Sequence, residues 1–179
     1  LLEQETMKVL TALSEISGAE GRFETVRSNN GIVAIVDYAH TPDAVENVLE
    51  TILDLRKQGQ QVLTVLGCGG DRDKTKRPEM AEVAARMSDK VILTSDNPRS
   101  EDPVQIIRDM EAGLPAEKKK NVFSITDRRE AIRAAVHLAQ PGDVILVAGK
   151  GHEKYQEING VKNHFDDREE LENIFNEIN

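Results

Sequence analysis

Residues 32–52, IVAIVDYAHTPDAVENVLETI, contain one complete strand-to-helix unit. The first five residues are all apolar, which is typical of a strand covered on both faces of a parallel sheet. Thr41 and Pro42 then predict a helix start, because threonine can cap the first turn and proline is tolerated at the first helical position. Apolar residues recur every three or four positions from Val45 to Ile52, as on one face of an amphipathic helix.

Four further β-rich runs follow along the chain, with helical periodicity between most of them. The runs are 61–66, 90–94, 121–125 and 144–148. Strands that alternate with helices predict an α/β fold with a doubly wound, mostly parallel, Rossmann-like sheet and helices on both faces.

The two ends of the chain extend this pattern. Residues 22–27 are predicted to form another strand before the first parallel one. After the last run, an Asn-Gly pair at 159–160 separates two short runs and predicts a β-hairpin, which a final helix over 168–178 follows. Capping boxes are expected at Asp127 and Asp167, each with a glutamate three residues later.

Length and composition favour one globular domain with a short appendage. A chain of 179 residues with 39% hydrophobic content can bury a sizeable core. We expect residues 1–20 to be a linker or the tail of a preceding domain, and residues 21–179 to form the domain itself.

Charge and composition exclude several classes of function. A formal net charge of -9 argues against nucleic-acid binding and against docking on anionic membranes, since both need a basic surface. No apolar run is long enough to span a bilayer, and the first ten residues do not resemble a signal peptide, so we expect a cytoplasmic protein. Cys68 is the only cysteine, which excludes an intramolecular disulfide and a cysteine-based zinc site.

The candidate site lies just after the predicted strands, because open α/β sheets bind ligands at the carboxyl ends of their strands. The segments there are 37–42, 67–74, 95–99 and 149–153, and each is rich in glycine, charge or both. We expect all four segments to lie along one edge of the sheet.

The segment 67–74 combines glycines with basic residues. Glycines let backbone N–H groups approach an anion, although a tight strand-to-helix turn explains them equally well. Arg72 and the basic residues that follow it, up to Arg77, favour recognition of a carboxylate or phosphate over a solvated charged face.

The loop at 96–99, Asp-Asn-Pro-Arg, carries the sharpest signal. Asn-Pro is a common turn signal, so an ordinary loop is the alternative. However, Asp96, Asn97 and Arg99 provide the acid, the amide and the guanidinium that an α-amino acid needs for its ammonium and its carboxylate.

Other candidate groups receive ordinary structural roles. Residues 149–151, Gly-Lys-Gly, lack both the glycine five positions earlier and the following serine or threonine of a phosphate-binding loop. A lone histidine such as His40 is more often structural than catalytic, and Cys68 is expected to be a small buried residue. No two histidines have metal-ligand spacing, so no metal site is predicted.

Five motifs occur in the order in which Mur ligases carry them. They are GRFE at 21–24, DYAHTPD at 37–43, GCGGDRD at 67–73, DNPR at 96–99 and GKGHE at 149–153. From residue 21 onward, the chain therefore resembles the C-terminal domain of Mur ligases of the type that adds meso-diaminopimelate.

The resemblance implies a three-domain, ATP-dependent ligase of peptidoglycan precursor synthesis. Its first domain holds the UDP-sugar, its central ATPase domain carries the phosphate-binding loop, and this third domain binds the incoming amino acid. An acyl phosphate forms on UDP-N-acetylmuramoyl-L-alanyl-D-glutamate, and the amine of meso-diaminopimelate attacks it. The missing domains are expected to hold the UDP-linked dipeptide, Mg²⁺ and most of ATP, so this domain alone is expected to be inactive.

Matching positions imply a nucleotide set of residues. Arg22 and Asp37 correspond to catalytic positions that contact ATP, with Arg22 towards the phosphates and Asp37 towards the ribose. Tyr38, His40 and Thr41 are implied to line the nucleotide edge.

A second implied set recognises meso-diaminopimelate. Its members are Arg72, Asp96, Asn97, Arg99, Gly149 and Glu153, of which the last two are implied to contact the distal end of the amino acid. The arginine at position 99 marks members that add diaminopimelate, because a guanidinium can bind the extra carboxylate that lysine lacks.

Three alternatives remain open at this point. A related folylpolyglutamate-synthetase-type ligase domain shares the sheet and the acyl-phosphate chemistry, but the DNPR loop and the His-Glu pair after residue 151 argue against it. A free-standing amino-acid-binding module would differ by lacking a phosphate-binding domain encoded upstream. A plain nucleotide-binding Rossmann-like domain leaves the charged loops unexplained.

Overall fold

The computed structural model describes residues 21–178, which contain a six-stranded sheet. The strands are β1 Glu24–Arg27, β2 Val33–Asp37, β3 Val62–Cys68, β4 Lys90–Ser95, β5 Val122–Ser124 and β6 Val144–Ala148. Their order across the sheet is β1-β2-β6-β3-β4-β5. Strand β1 is antiparallel to β2, and all other neighbours are parallel. The predicted mostly parallel sheet is therefore confirmed.

Helices cover both faces of this sheet. They are α1 Pro42–Leu55, α2 Lys76–Met87, α3 Pro103–Glu111, α4 Arg128–Leu138 and α5 Asp167–Glu177, with a short 3-10 helix at Lys119–Asn121. The buried side chains of α1, α2 and α3 form one hydrophobic core, and those of α4 and α5 form a second. Successive residues of β2 alternate between these cores, with Ile35 in the first and Val36 in the second. The doubly wound fold follows from this two-sided burial.

Position in the sheet explains how apolar each strand is. Strands β2, β3 and β6 are buried along their whole length, as their apolar runs predict. Strand β5 is shorter than the predicted run 121–125, and β4 is its only partner among the described strands. Because β5 lies at the edge of the sheet, Phe123 remains 42% exposed.

The predicted helix caps are confirmed at two helices and wrong at a third. Thr41 Oγ1 accepts a hydrogen bond from the Ala44 N–H, and Asp127 accepts one from the Glu130 N–H. At α5, however, the capping residue is Asp166 and not Asp167. The Asp167 carboxylate is turned inward, where it pairs with an arginine of α4.

The predicted β-hairpin is present and packs against the DNPR loop. Its strands are β7 Tyr155–Ile158 and β8 Val161–His164. The Arg99 N–H donates to the Glu157 carbonyl at 3.0 Å, and the Asn159 N–H donates to the Arg99 carbonyl at 2.7 Å. The hairpin therefore acts as a support for one wall of the sheet's carboxyl edge.

Two further expectations concern the linker at the start of the chain and the absence of a membrane span. The predicted linker or tail at 1–20 lies outside the described residues. Within 21–178, no helix combines the length and the apolar character that a membrane crossing requires.

Two neighbouring arginines of α4 make the same kind of ion pair in different surroundings. Arg128 Nε and Nη2 each lie 2.7 Å from a carboxylate oxygen of Asp167, and both side chains are fully buried. Arg129 Nε and Nη2 lie 2.7 Å from the oxygens of Glu170, but the Arg129 side chain is 53% exposed. The carboxylate contacts are matched, whereas Arg128 is buried and also donates to the Ser95 and Ala148 carbonyls.

We expect Arg128→Met to lower the free energy of unfolding by about 3–5 kcal/mol, because it leaves the Asp167 carboxylate buried without its partner. The matched variant Arg129→Met should cost less than about 1 kcal/mol, since exposed ion pairs contribute little. Urea unfolding of the two variants measures both values. Equal losses would contradict the assignment of Arg128 as a structural anchor.

Candidate functional site

A cleft of about 200 Å³ opens at the carboxyl ends of the parallel strands. It is formed by the loops that follow β2, β3, β4 and β6, so the predicted convergence of four segments on one edge is observed. The predicted site residues that line it are Tyr38, His40, Arg72, Asp96, Asn97, Arg99, Gly149 and Glu153.

Three residues of the predicted nucleotide set do not line this cleft. Asp37 is the last residue of β2, is buried, and accepts a hydrogen bond from the Phe23 N–H at 2.8 Å. Burial raises the pKa of Asp37, an effect that its backbone hydrogen bonds and the nearby Arg22 oppose. Arg22 is exposed, and Thr41 caps α1. Tyr38 and His40, by contrast, line the same cleft as the predicted amino-acid-binding residues.

The glycine loop after β3 packs directly on the DNPR loop after β4. The Gly70 N–H donates to the Asn97 carbonyl at 2.8 Å, and Arg99 Nη1 donates to the Gly70 carbonyl at 2.8 Å. A Cβ atom on Gly70 would lie 1.9 Å from the Pro98 carbonyl oxygen, which is far inside contact distance. A glycine is therefore required at position 70 for the two loops to meet.

The side chain of Asn97 links the DNPR loop to the segment after β6. This side chain is buried, and its Nδ2 donates to Glu153 Oε2 at 2.7 Å. Its Oδ1 accepts the Glu157 N–H at 2.8 Å and lies 3.3 Å from Lys150 Nζ. Every polar atom of the amide is occupied, so the residue orients its neighbours and Glu153 in particular.

Arg77 corrects the prediction that the basic run after Arg72 serves anion recognition as a whole. Its guanidinium is 1% exposed and donates to both Glu101 oxygens at 2.8 and 3.0 Å. It also donates to Asp109 Oδ2 at 2.8 Å and to the Gly69 carbonyl at 3.3 Å. Its charge is therefore used inside the protein, where it ties the glycine loop to α3.

Glu101 is the shared acidic partner of the groups that hold the glycine loop and the DNPR loop together. Besides Arg77, it accepts the Asp71 N–H at 2.6 Å and lies 2.9 Å from Lys74 Nζ. The hydrogen bonds from Arg77, followed by those from Lys74 and the Asp71 N–H, hold the pKa of Glu101 down to about 2 against the opposing effect of burial. The carboxylate is thus ionised under all ordinary conditions.

Cys68 is buried, as the sequence predicts. Cys68 is buried against Met80, and burial raises the pKa of its thiol to about 12, which makes it a poor nucleophile. Among residues 21–178, no group of three or more His, Cys, Asp or Glu side chains is arranged to hold a metal ion.

Sequence reasoning missed the burial of three cations at the cleft or beside it. Arg77, Arg128 and Lys150 are all nearly or wholly inaccessible. Only Lys150 carried a signal in the sequence, because it lies between two glycines after an apolar run. Glu153 is close in sequence to Lys150. The other acidic partners of these three cations are distant in sequence, so spacing could not identify them.

Comparison with known proteins identifies relatives of this chain in sequence and in fold. The family described as "Mur ligase, glutamate ligase domain" matches residues 21–151. A UDP-N-acetylmuramoyl-L-alanyl-D-glutamate--2,6-diaminopimelate ligase of Bacteroides thetaiotaomicron is 60% identical over 176 residues, which are 98% of this chain and 36% of the relative. The chain thus spans about a third of the length of the curated relatives it matches.

Solved structures give the same picture. A structure of a UDP-N-acetylmuramoyl-L-alanyl-D-glutamate--2,6-diaminopimelate ligase matches with a TM-score of 0.82 and 46% identity, over 92% of this chain and 33% of that one. E. coli FolC in complex with ADP matches with a TM-score of 0.57 and 25% identity, over 76% of this chain and 30% of that one. The similarity is therefore much closer to the diaminopimelate ligase than to the folate enzyme.

The packing of the glycine loop predicts different outcomes at two adjacent glycines. Gly70→Ala should destabilise the fold by about 1–3 kcal/mol, because its Cβ would overlap backbone. At Gly69 the nearest atom is the movable Nη1 of Arg99 at 2.9 Å, so Gly69→Ala should cost less. Thermal and urea unfolding of both variants test this order, and a larger loss at Gly69 would refute it.

The Glu101 network predicts a pH dependence of stability. Since the folded-state pKa is depressed, the stabilisation is present above the ordinary value of 4.5 and is lost as the pH falls towards about 2. Glu101→Gln should therefore be less stable than wild type at neutral pH, and the difference should shrink across that acidic window.

Urea unfolding across the pH range measures this difference, with the exposed Glu117→Gln as a control that should track wild type. A difference for Glu101→Gln that stays constant down to pH 2 would mean that the carboxylate charge is not what stabilises the loops.

Proposed function

The chain belongs to the Mur ligase family, and we therefore propose that it is the amino-acid-binding domain of an ATP-dependent ligase that adds meso-diaminopimelate to UDP-N-acetylmuramoyl-L-alanyl-D-glutamate. The names of its relatives support this reaction. Because the chain spans about a third of those relatives, the activity would belong to a longer protein with a cytoplasmic location.

The charges of the cleft support an amino acid with several charged groups as its ligand. Arg72 and Arg99 supply positive charge, and Asp96 and Glu153 supply negative charge, within one cavity. A diaminopimelate molecule has two amino groups and two carboxylates, so a site with both signs of charge suits it. One amine attacks the activated carboxylate, and the other end of the molecule is available for recognition.

The position of Arg99 is the observation that carries the proposal. This residue has a left-handed backbone with φ of 52°, and its side chain lines the cleft while Nη1 donates to the Gly70 carbonyl. The hairpin holds its backbone from the other side through Glu157 and Asn159. Glu157 Oε2 lies 3.8 Å from Arg99 Nε, and the remaining N–H donors are available to a carboxylate. A substrate without that carboxylate would leave those remaining donors unused.

The nucleotide would lie at the rim formed by the segment after β2. The ring of Tyr38 lies 4.5 Å from that of His40 and 5.1 Å from that of His152, which gives an aromatic surface there. Asp37 directly precedes Tyr38 in the chain and would contact the ribose, the exposed Arg22 would contact the phosphates, and Thr41 would complete the edge. ATP supplies the phosphoryl group that activates the dipeptide carboxylate as an acyl phosphate.

The other domains of the longer ligase would complete the nucleotide site. Residues 21–178 contain no phosphate-binding loop of the Walker type and no cluster suited to a metal ion, so most contacts to the phosphates and to Mg²⁺ would come from those domains. The task of this domain is then to hold the attacking amine in line, which is an orientational contribution.

Calorimetric titration of the full-length ligase, with an ATP analogue and the UDP-linked dipeptide present, tests the proposal. We expect meso-diaminopimelate to bind, L-lysine and L-glutamate not to bind, and Arg99→Ala to weaken diaminopimelate binding roughly 10- to 100-fold, as for loss of a charged hydrogen bond.

Arg108→Ala removes an exposed arginine of α3 and is the matched control, for which unchanged binding is expected. Equal binding of lysine and diaminopimelate, or no effect of Arg99→Ala, would refute the carboxylate clamp. Preferential binding of glutamate would favour the folylpolyglutamate-type alternative.

A further inference from the structure

Lys150 is a fully buried cation that the proposed reaction does not yet use. Its Nζ does not line the cleft but lies beneath it, 3.3 Å from Asn97 Oδ1 and 3.5 Å from Asp96 Oδ1. The ammonium also donates to the Tyr155 carbonyl and lies 4.0 Å from Glu153 Oε2. The acceptors around it match the three N–H donors of a protonated lysine.

The glycines on either side of Lys150 explain how its side chain reaches this position. Gly149 has φ of 119°, and a Cβ there would lie 2.8 Å from Asp96 Oδ2. Gly151 has φ of 52°, and a Cβ there would lie 2.6 Å from Tyr38 Cβ. The Gly-Lys-Gly sequence therefore serves close backbone packing that sends the lysine under the carboxylates, not phosphate binding.

The charges that face Lys150 come from several elements of the fold. Asp96 follows β4, Glu153 follows β6, Arg128 lies on α4 and Asp167 on α5. Burial lowers the pKa of Lys150, Asp96 opposes this effect, Arg128 adds to it, and Asp167 and Glu153 oppose it further. The ring of Tyr155, in β7, lies 5.6 Å from Nζ.

Two of these carboxylates belong to the cleft. Asp96 and Glu153 both line the cavity. Asp96 Oδ1 is buried and accepts no hydrogen bond from any described residue, so the ion pair with Lys150 Nζ at 3.5 Å is what balances its charge. Because Arg128 and Asp167 neutralise each other, the two cleft carboxylates together with Lys150 carry one net negative charge. That charge matches a single ligand ammonium.

We propose that Lys150 is a positioning residue that keeps Asp96 and Glu153 ionised and in place for the ammonium of diaminopimelate that does not take part in the new amide bond. This inference rests on the proposed function. Without Lys150, the two carboxylates would lose the cation that lies near both of them, and their mutual repulsion would favour uptake of a proton by the pair. A neutral carboxyl binds an ammonium less well than a carboxylate does.

The test is the KM for meso-diaminopimelate of the full-length ligase as a function of pH. Lys150→Met should raise this KM by roughly 10-fold at about pH 6.5, and the ratio of variant to wild type should fall towards about pH 8.5 as the shifted carboxyl ionises. The KM for ATP should not change. Any ionisation of the substrate affects the KM of both enzymes equally, so it cancels in the ratio of variant to wild type.

Lys154→Met is the matched control, since Lys154 lies in the same segment but is 57% exposed and 4.0 Å from Asp166 Oδ2. It should leave the KM unchanged. A ratio for Lys150→Met that is the same at every pH, or a parallel rise in the KM for ATP, would overturn the positioning role in favour of a purely structural one.

A double variant keeps the proposal falsifiable if Lys150→Met alone does not fold. In the Glu153→Gln background only Asp96 remains charged, so adding Lys150→Met restores one net negative charge and should change the KM less than about 3-fold. A further 10-fold loss in that background would overturn the proposal. If the wild-type ligase does not ligate diaminopimelate at all, the proposed function itself is refuted. If it does, but the ratio of the Lys150→Met KM to the wild-type KM does not change with pH, only the role of Lys150 is refuted.

Discussion

The amide of Asn97 is the interaction on which the cleft depends. Its side-chain Nδ2 donates to Glu153, and its Oδ1 accepts hydrogen bonds from Lys150 Nζ and from the Glu157 N–H. Its backbone carbonyl accepts a hydrogen bond from the Gly70 N–H. One buried residue therefore joins the loops that follow β3, β4 and β6. Because a buried amide must have its polar atoms paired, these loops can meet in only a few arrangements. A preformed site loses little freedom when a ligand binds.

Buried cations give the same edge of the sheet its rigidity. Arg77 ties the glycine loop to α3, and Arg128 joins α4 to α5 while Nη2 donates to the Ala148 carbonyl at 3.1 Å. A charge without a partner is costly to bury, so each of these residues requires the element that carries its carboxylate to stay in place. These ion pairs fix the carboxyl ends of the strands, whereas Arg72 remains exposed at the surface.

Much of this arrangement follows from sequence alone, because it depends on local rules. Apolar runs predicted every parallel strand, Thr41 and Asp127 predicted their helix starts, and the order of strands and helices predicted the shared edge of the loops. The length of the edge strand β5 was overestimated, because a short apolar run does not reveal whether one or two neighbouring strands pair with it.

The remaining features depend on partners that are distant in sequence. Asp167 was expected to cap its helix, but it pairs with Arg128, 39 residues away, and leaves the cap to Asp166. The exclusion of a phosphate-binding loop at 149–151 was based on spacing, yet spacing could not reveal that Lys150 points towards Asp96. Arg77 likewise resembled a ligand-binding residue until its pairing with Glu101 and Asp109 was visible.

A crystal structure of the full-length ligase with meso-diaminopimelate would show which groups bind the amino acid. We expect the amino acid to occupy the cleft, with one carboxylate within hydrogen-bonding distance of the Arg99 guanidinium and an ammonium between Asp96 and Glu153. Density for the amino acid elsewhere, or in the cleft with the ammonium directed at Arg99, would contradict it.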